Sequence, residues 1–213
     1  MKPHAVRRAI LPLLLLPLLA VAEPPASAPP SSPAPGPRVL LQTALGEIEI
    51  VVDAARAPVT ARNFLWYVEA GRYDGGRFHR TVTPENQPGR TVKIDVIQAG
   101  VAPSRQADDR PPIRLERTRD TGLSHVDGAV SMARDTPDSA TSDFFVCVGG
   151  QPSLDFGGAR NPDGQGFAAF GRVVRGMEVV RKIWRSPAKG QSLAPPVGIV
   201  RARLVAPPPA PPS

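Results

Sequence analysis

Few side chains in this sequence can make or break bonds. The chain holds three histidines and one cysteine. His4, His79 and His125 lack the close spacing that lets imidazoles share a metal ion. No Gly-x-Ser-x-Gly element offers an activated serine. Cys147 sits inside the apolar run Phe144 to Val148, which reads as a buried structural thiol rather than a nucleophile. The Gly-rich stretch Gly157 to Gly166 has an acidic spacing that fits no calcium loop, and a surface loop is the simpler reading. A hydrolase or metal enzyme therefore finds no support. Arginine keeps its proton and holds its donors in a planar fork. In Phe78-His79-Arg80 taken alone, it reads as a structural arginine in an ion pair.

The elements available to position these residues are mostly short strands. Val39 to Thr43 is apolar, Leu45-Gly46 turns the chain, and Glu47 to Ile50 alternates polar and apolar like a half-buried strand. Further strands are expected at Tyr73 to Arg80, Ile94 to Gln98, Ala129 to Ala133, Phe144 to Val148, Phe167 to Val174 and Val197 to Val205. A helix starts at Pro58, with Ala61, Phe64, Leu65 and Val68 at helical spacing and Gly71 just beyond its end. Met177, Val180, Ile183 and Trp184 mark a second short helix. Residues 83–93 and 101–127 read as loops. Eight strands can close into a barrel filled by its own side chains, with helices over the open ends.

The outer segments differ from this middle. Of 27 prolines, ten lie in residues 1–37 and five in 207–213, leaving twelve for the rest. Lys2, Arg7 and Arg8 precede an apolar run from Ile10 to Leu19, and Ala20-Val21-Ala22 has small residues at the positions a signal peptidase reads. The run is shorter than the roughly 20 residues of a membrane span. Residues 1–22 are thus expected to be a signal peptide cleaved after Ala22. Residues 23–37 form a Pro-rich linker, 38–206 the folded domain and 207–213 a Pro-rich tail. The mature protein is expected in the periplasm or secreted, as a monomer with no stable membrane insertion. The formal charge is +7. Without Lys2, Arg7 and Arg8 it falls to +4, with no block of five like charges. Nucleic-acid binding, which needs a basic stripe with stacking aromatics, is not expected.

Several stretches together resemble the cyclophilin-type peptidyl-prolyl cis-trans isomerases over about residues 39–205. They are Thr43 to Ile48, Ala57 to Phe64, Gly71 to Gly75, Phe78 to Arg80, Val96 to Gly100, Gly128 to Arg134, Ser142 to Phe145 and Phe170 to Met177. The blocks stand in family order and near family spacing. The resemblance implies a mainly β fold, a closed eight-stranded antiparallel β-barrel capped by two short α-helices. It implies rotation about X–Pro bonds with no cofactor, on Pro-containing unfolded or exported polypeptides. By position, Arg80 matches the catalytic arginine. Gln98 matches the glutamine that orients it, Phe145 and Leu154 match pocket walls, and Ala133 matches a contact to the substrate backbone. Val96, Asp143 and Phe167 complete the implied substrate-binding set.

Departures from the family pattern bear on the chemistry. Arg80 and Gln98 are 18 positions apart, with an added loop at 83–93. Asp95 falls where a pocket phenylalanine is frequent, Asp143 where a glutamine is, Phe167 where a histidine is and Ser153 where a tryptophan is. Asp143 could pair with Arg80 and orient it, or hold it away from substrate. A non-catalytic module that holds Pro-containing segments in the same groove is therefore the competing expectation.

Overall fold

The computed structural model describes residues 36–206. The segments read as a signal peptide and a tail, and most of the linker, lie outside these residues. Nine strands are described: β1 (Arg38–Thr43), β2 (Gly46–Val52), β3 (Arg77–Val82), β4 (Val96–Gly100), β5 (Ala129–Met132), β6 (Phe144–Cys147), β7 (Ala168–Arg175), β8 (Ala188–Lys189) and β9 (Ser192–Val205). Three helices join them: α1 (Pro58–Glu69), α2 (Thr118–Thr121) and α3 (Met177–Trp184). Pairing runs β1-β2-β7-β5-β6-β4-β3-β9, and β9 pairs back onto β1, so eight strands form a closed antiparallel ring. The expected barrel is present. β8 is a short addition that forms a hairpin with β9.

Side-chain alternation sorts each strand into an inner and an outer face. Ile48, Ile50, Ile97, Phe144 and Phe170 point inward and are fully buried. Phe64 of α1 closes one end, its ring 4.9 Å from Phe170 and edge-on to Phe144 at 5.3 Å. Val180 and Ile183 of α3 enter the same core. Pro58 opens α1 as expected, but the cap comes from far along the chain. The Glu116 carboxylate accepts from the backbone N–H groups of Val59 (3.1 Å) and Thr60 (2.8 Å), meeting both the unpaired amides and the positive end of the helix. Gly176 leads into α3 with φ +93°, pressed so closely on the Glu47 carbonyl that a side chain would collide there.

Three strands begin later than expected, β7 by one residue at Ala168, and β9 begins earlier, at Ser192 rather than Val197. Tyr73 is buried in a turn, and β3 starts at Arg77; β4 starts at Val96 rather than Ile94. The stretch 101–127 carries a 3₁₀ turn at Pro103–Asp108 as well as α2.

The outward residues of β4 and β6 build a second, smaller apolar cluster outside the barrel. Val96, Phe145 and Cys147 pack there with Val82, Ile94 and Leu154. Cys147 is buried as expected, and burial pushes its thiol well above the usual range. Its Ile94, Val96, Phe145 and Leu154 form the floor of an open cleft.

Candidate active site

Register brings Arg80 of β3 opposite Gln98 of β4, and Gln98 opposite Phe145 of β6. Arg80 and Gln98, 18 positions apart in sequence, are therefore partners that touch. Arg80 Nη1 donates to Gln98 Oε1 at 2.9 Å. Its Nε and Nη2 both donate to Gln191 Oε1, at 3.0 and 2.6 Å. Gln191 lies between β8 and β9, and its own Nε2 donates to the Asn86 carbonyl at 3.1 Å. The guanidinium is thus gripped from two sides, and one N–H on each Nη is left by these bonds. Burial, with Arg90 nearby, lowers the Arg80 pKa from its ordinary value. The starting point is so high that the group stays charged at neutral pH.

Asp143 does not touch Arg80. Gln98 Nε2 donates to Asp143 Oδ2 at 2.9 Å. An ionised carboxylate only accepts, so Gln98 must turn its NH₂ toward Asp143 and its oxygen toward Arg80. Asp143 thereby orients the arginine through the glutamine and does not withhold it. His79 Nε2 stands 3.5 Å from the same carboxylate oxygen. Burial raises the Asp143 pKa and Asp109 adds to this, while the Gln98 bond and His79 oppose it. The carboxylate lies against Gly100, where any Cβ would meet Asp143 Oδ1.

Arg80, Gln98, Asp143 and Ala133 line one open cleft of about 740 Å³, together with Val96, Phe145, Leu154 and Phe167. All eight residues expected at the site thus share it. Phe145 and Phe167 meet edge to face, with centroids 5.4 Å apart. The Arg134 guanidinium covers the Phe167 ring at 5.0 Å. It also donates to Asp163 (2.8 and 3.0 Å) and to the Gly166 carbonyl, which ties the 157–166 loop to the cleft wall.

Asp95 is a correction to the expected pocket. Ile94 lines the cleft in its place, and Asp95 is not among the lining residues. In extended chain, neighbouring side chains face opposite ways, so Ile94 shares the cleft face with Val96 while Asp95 turns from it. Ser153 also stays off the cleft; its carbonyl accepts from the Arg160 N–H at 3.1 Å.

Behind the floor, the His125 ring stacks on Phe145 at 5.9 Å. Its Nδ1 lies 2.7 Å from Asp155 Oδ1 and its Nε2 3.0 Å from Ser131 Oγ. Such a serine–histidine–aspartate row suggests a nucleophile, but Ser131 and His125 are 0% and 2% exposed. No substrate carbonyl reaches that hydroxyl, and the row buttresses Phe145. Gln191, Ile94, Arg90 and Arg160 also belong to the site region, and sequence reasoning did not find them. Gln191 carried no motif; Arg90 lay in the added loop at 83–93, and Arg160 in the Gly-rich stretch read as a surface loop.

The family model described as cyclophilin type peptidyl-prolyl cis-trans isomerase/CLD matches residues 38–204. The chain belongs to the cyclophilin family. Peptidyl-prolyl cis-trans isomerase A of Dickeya dadantii (strain 3937) is 40% identical over 146 residues, 68% of this chain and 70% of that protein. Peptidyl-prolyl cis-trans isomerase B of Escherichia coli (strain K12) is 34% identical over 155 residues, 72% of this chain and 87% of that protein. In fold, this cyclophilin resembles a crystal structure of a Cryptosporidium parvum cyclophilin type isomerase. The TM-score is 0.65 at 19% identity, covering 81% of this chain and 99% of that one. Another crystal structure of that parasite protein was obtained in the presence of the dipeptide Ala-Pro, with TM-score 0.64 at 19% identity over 79% and 99% of the two chains.

Proposed function

We propose that this cyclophilin rotates X–Pro bonds in polypeptides that follow it out of the cytoplasm, and so assists their folding. An X–Pro amide must lose C–N resonance to turn, against a barrier of about 18–20 kcal/mol. Left alone it takes tens to hundreds of seconds. No bond is made or broken, so the protein has only to hold the twisted amide better than either planar form. In the twisted state the prolyl nitrogen regains a lone pair and accepts a hydrogen bond. The observation that carries this reading is Arg80, clamped by Gln98 and Gln191 beside an apolar floor. The floor of Val96, Phe145 and Leu154 grips the proline ring. A remaining Arg80 N–H serves the twisted nitrogen, while Gln98 and Ala133 hold the neighbouring backbone. Since the guanidinium is already oriented, little reorganisation is needed as the bond turns.

The sequence of residues 1–22 supports delivery to the periplasm or beyond, where the mature chain acts as a monomer. A protease-coupled or NMR-exchange assay on the mature protein tests the chemistry. Arg80→Ala should lower kcat/KM by about 10²-fold or more while peptide affinity changes far less. Arg80→Lys should recover little, since a point charge cannot fill the fork. An Arg80→Ala protein that isomerises a Pro peptide at the parent rate would leave the cleft as a binding groove only. For the export arm, mass spectrometry of the exported protein should find its N-terminus near Glu23.

A further inference from the structure

Two loops, the added one at 83–93 and the Gly-rich one at 157–166, meet at one end of the cleft. Arg160 Nη1 donates to Gln87 Oε1 at 2.9 Å and to the Val92 carbonyl at 2.8 Å. Gln87 in turn brackets Ile94, donating to its carbonyl at 2.8 Å. Arg160 and Arg90 both line the cleft there, with Arg80 beyond them. Among the described residues none of these three arginines forms an ion pair. Burial lowers the basicity of Arg80 and Arg160, and Arg90 stands near enough to add to this in both. A protein gains nothing in stability from gathering unpaired cations, so their neighbour is to be sought outside the chain.

The other end carries the opposite sign. Asp143 rests on Gly100, and Ser142 Oγ donates to Asp109 Oδ2 at 2.6 Å. Asp109, Asp135 and Asp143 all line the cleft. The axis from positive to negative follows β4 from Val96 to Gly100, about 13 Å at the rise of a strand. An extended segment seated with its proline on the Val96–Phe145 floor therefore brings residues one to three positions away beside Arg90 and Arg160.

Resting on the reading that the cleft takes a Pro-containing segment, we propose that this cleft selects segments with an acidic side chain within about three residues of the proline, its carboxylate bound by Arg90 and Arg160. A basic side chain on the opposite flank suits the aspartates.

The test compares a neutral Pro peptide with peptides carrying one Asp after the proline, one Asp before it, or Lys in the favoured position. Both kcat/KM and affinity by calorimetry are measured at low salt, as ratios to the neutral peptide within each protein. One Asp placement should be favoured about three- to tenfold, the yield of one or two partly exposed ion pairs. Lys in that place should fall below the neutral peptide, and the advantage should shrink at 1 M salt, where screening is short-ranged. The ratio should approach one in Arg90→Ala and in Arg160→Gln, and Arg160→Lys should keep part of it. A neutral peptide that turns over, with no advantage for either Asp placement, overturns this inference alone. So does an advantage that persists in the Arg90→Ala/Arg160→Gln double variant. A neutral peptide neither bound nor turned over removes the isomerase reading and this one with it.

Discussion

Gln191→Ala should slow catalysis without disturbing the substrate site itself. Gln191 supplies two of the three bonds that aim Arg80, at 3.0 and 2.6 Å, leaving only the Gln98 bond at 2.9 Å. A hydrogen bond to a charged group contributes about 1.5–3 kcal/mol. Water would replace part of each broken bond, because Arg80 is only partly buried, so the twisted state should lose about 1–2 kcal/mol. That corresponds to a fall of roughly 5–30-fold in kcat/KM. The fall should lie in kcat, with KM little changed, since the proline slot of Phe145 and Leu154 is untouched. Gln191→Glu keeps the acceptor toward Arg80 and should restore most of the rate. Protease-coupled kinetics give the rate, and thermal melts show whether the fold is intact. Undiminished kcat/KM in Gln191→Ala would refute the argument that this hairpin aims the guanidinium. So would a loss of rate explained wholly by a lower Tm.

Other outcomes follow from the same network. Burial raises the Asp143 pKa, so the folded chain takes up this proton at higher pH than the unfolded one, and ionised Asp143 subtracts stability above that pH. Asp143→Asn should therefore melt higher than the parent at pH 7, with the gap closing as pH falls into the carboxylate range; equal melts across pH would refute this. Isomerisation by the parent should also weaken on acidification, as a protonated Asp143 no longer fixes the Gln98 amide. Gly100→Ala should reduce activity while leaving the proline slot intact, because its methyl must displace the Asp143 carboxylate, and a parent-like rate would count against the relay. Cys147 is fully buried and its thiol is pushed up, so thiol reagents should label it only after denaturation, as mass spectrometry would show.

Single strands were legible where their faces alternate in sequence, as in Glu47 to Ile50, while the closed barrel followed from the family resemblance. The eight residues carried by motif resemblance all reached the cleft. What escaped depended on chain paths that no local pattern records. Gln191 stands 111 residues from Arg80. Its hairpin is flanked by Pro187, Pro195 and Pro196, which argue against strands when read locally. Glu116 caps α1 from 57 residues away. Ile94, two positions before Val96, lines the cleft with it, and Asp95 between them does not. The question posed by Asp143 could not be answered from sequence, since its reply depends on whether Gln98 stands between it and Arg80.

The ring closes where β1 meets β9, with Arg38 opposite Val205 and Thr43 opposite Ile199. The first strand made thus waits for the last. Joining ends some 160 residues apart carries a loop-closure entropy of about 4–5 kcal/mol, which must be met before the pairing returns anything. Until β9 has been made, β1 and β3 each keep one edge unpaired: its first half, Ser192 to Gly198, covers β3 and its second half, Ile199 to Val205, covers β1. Open edges of this kind pair with whatever strand is at hand. A nascent chain stopped short of β9 is a split ring with two sticky rims, and arrival of Ser192–Val205 turns it into a closed one.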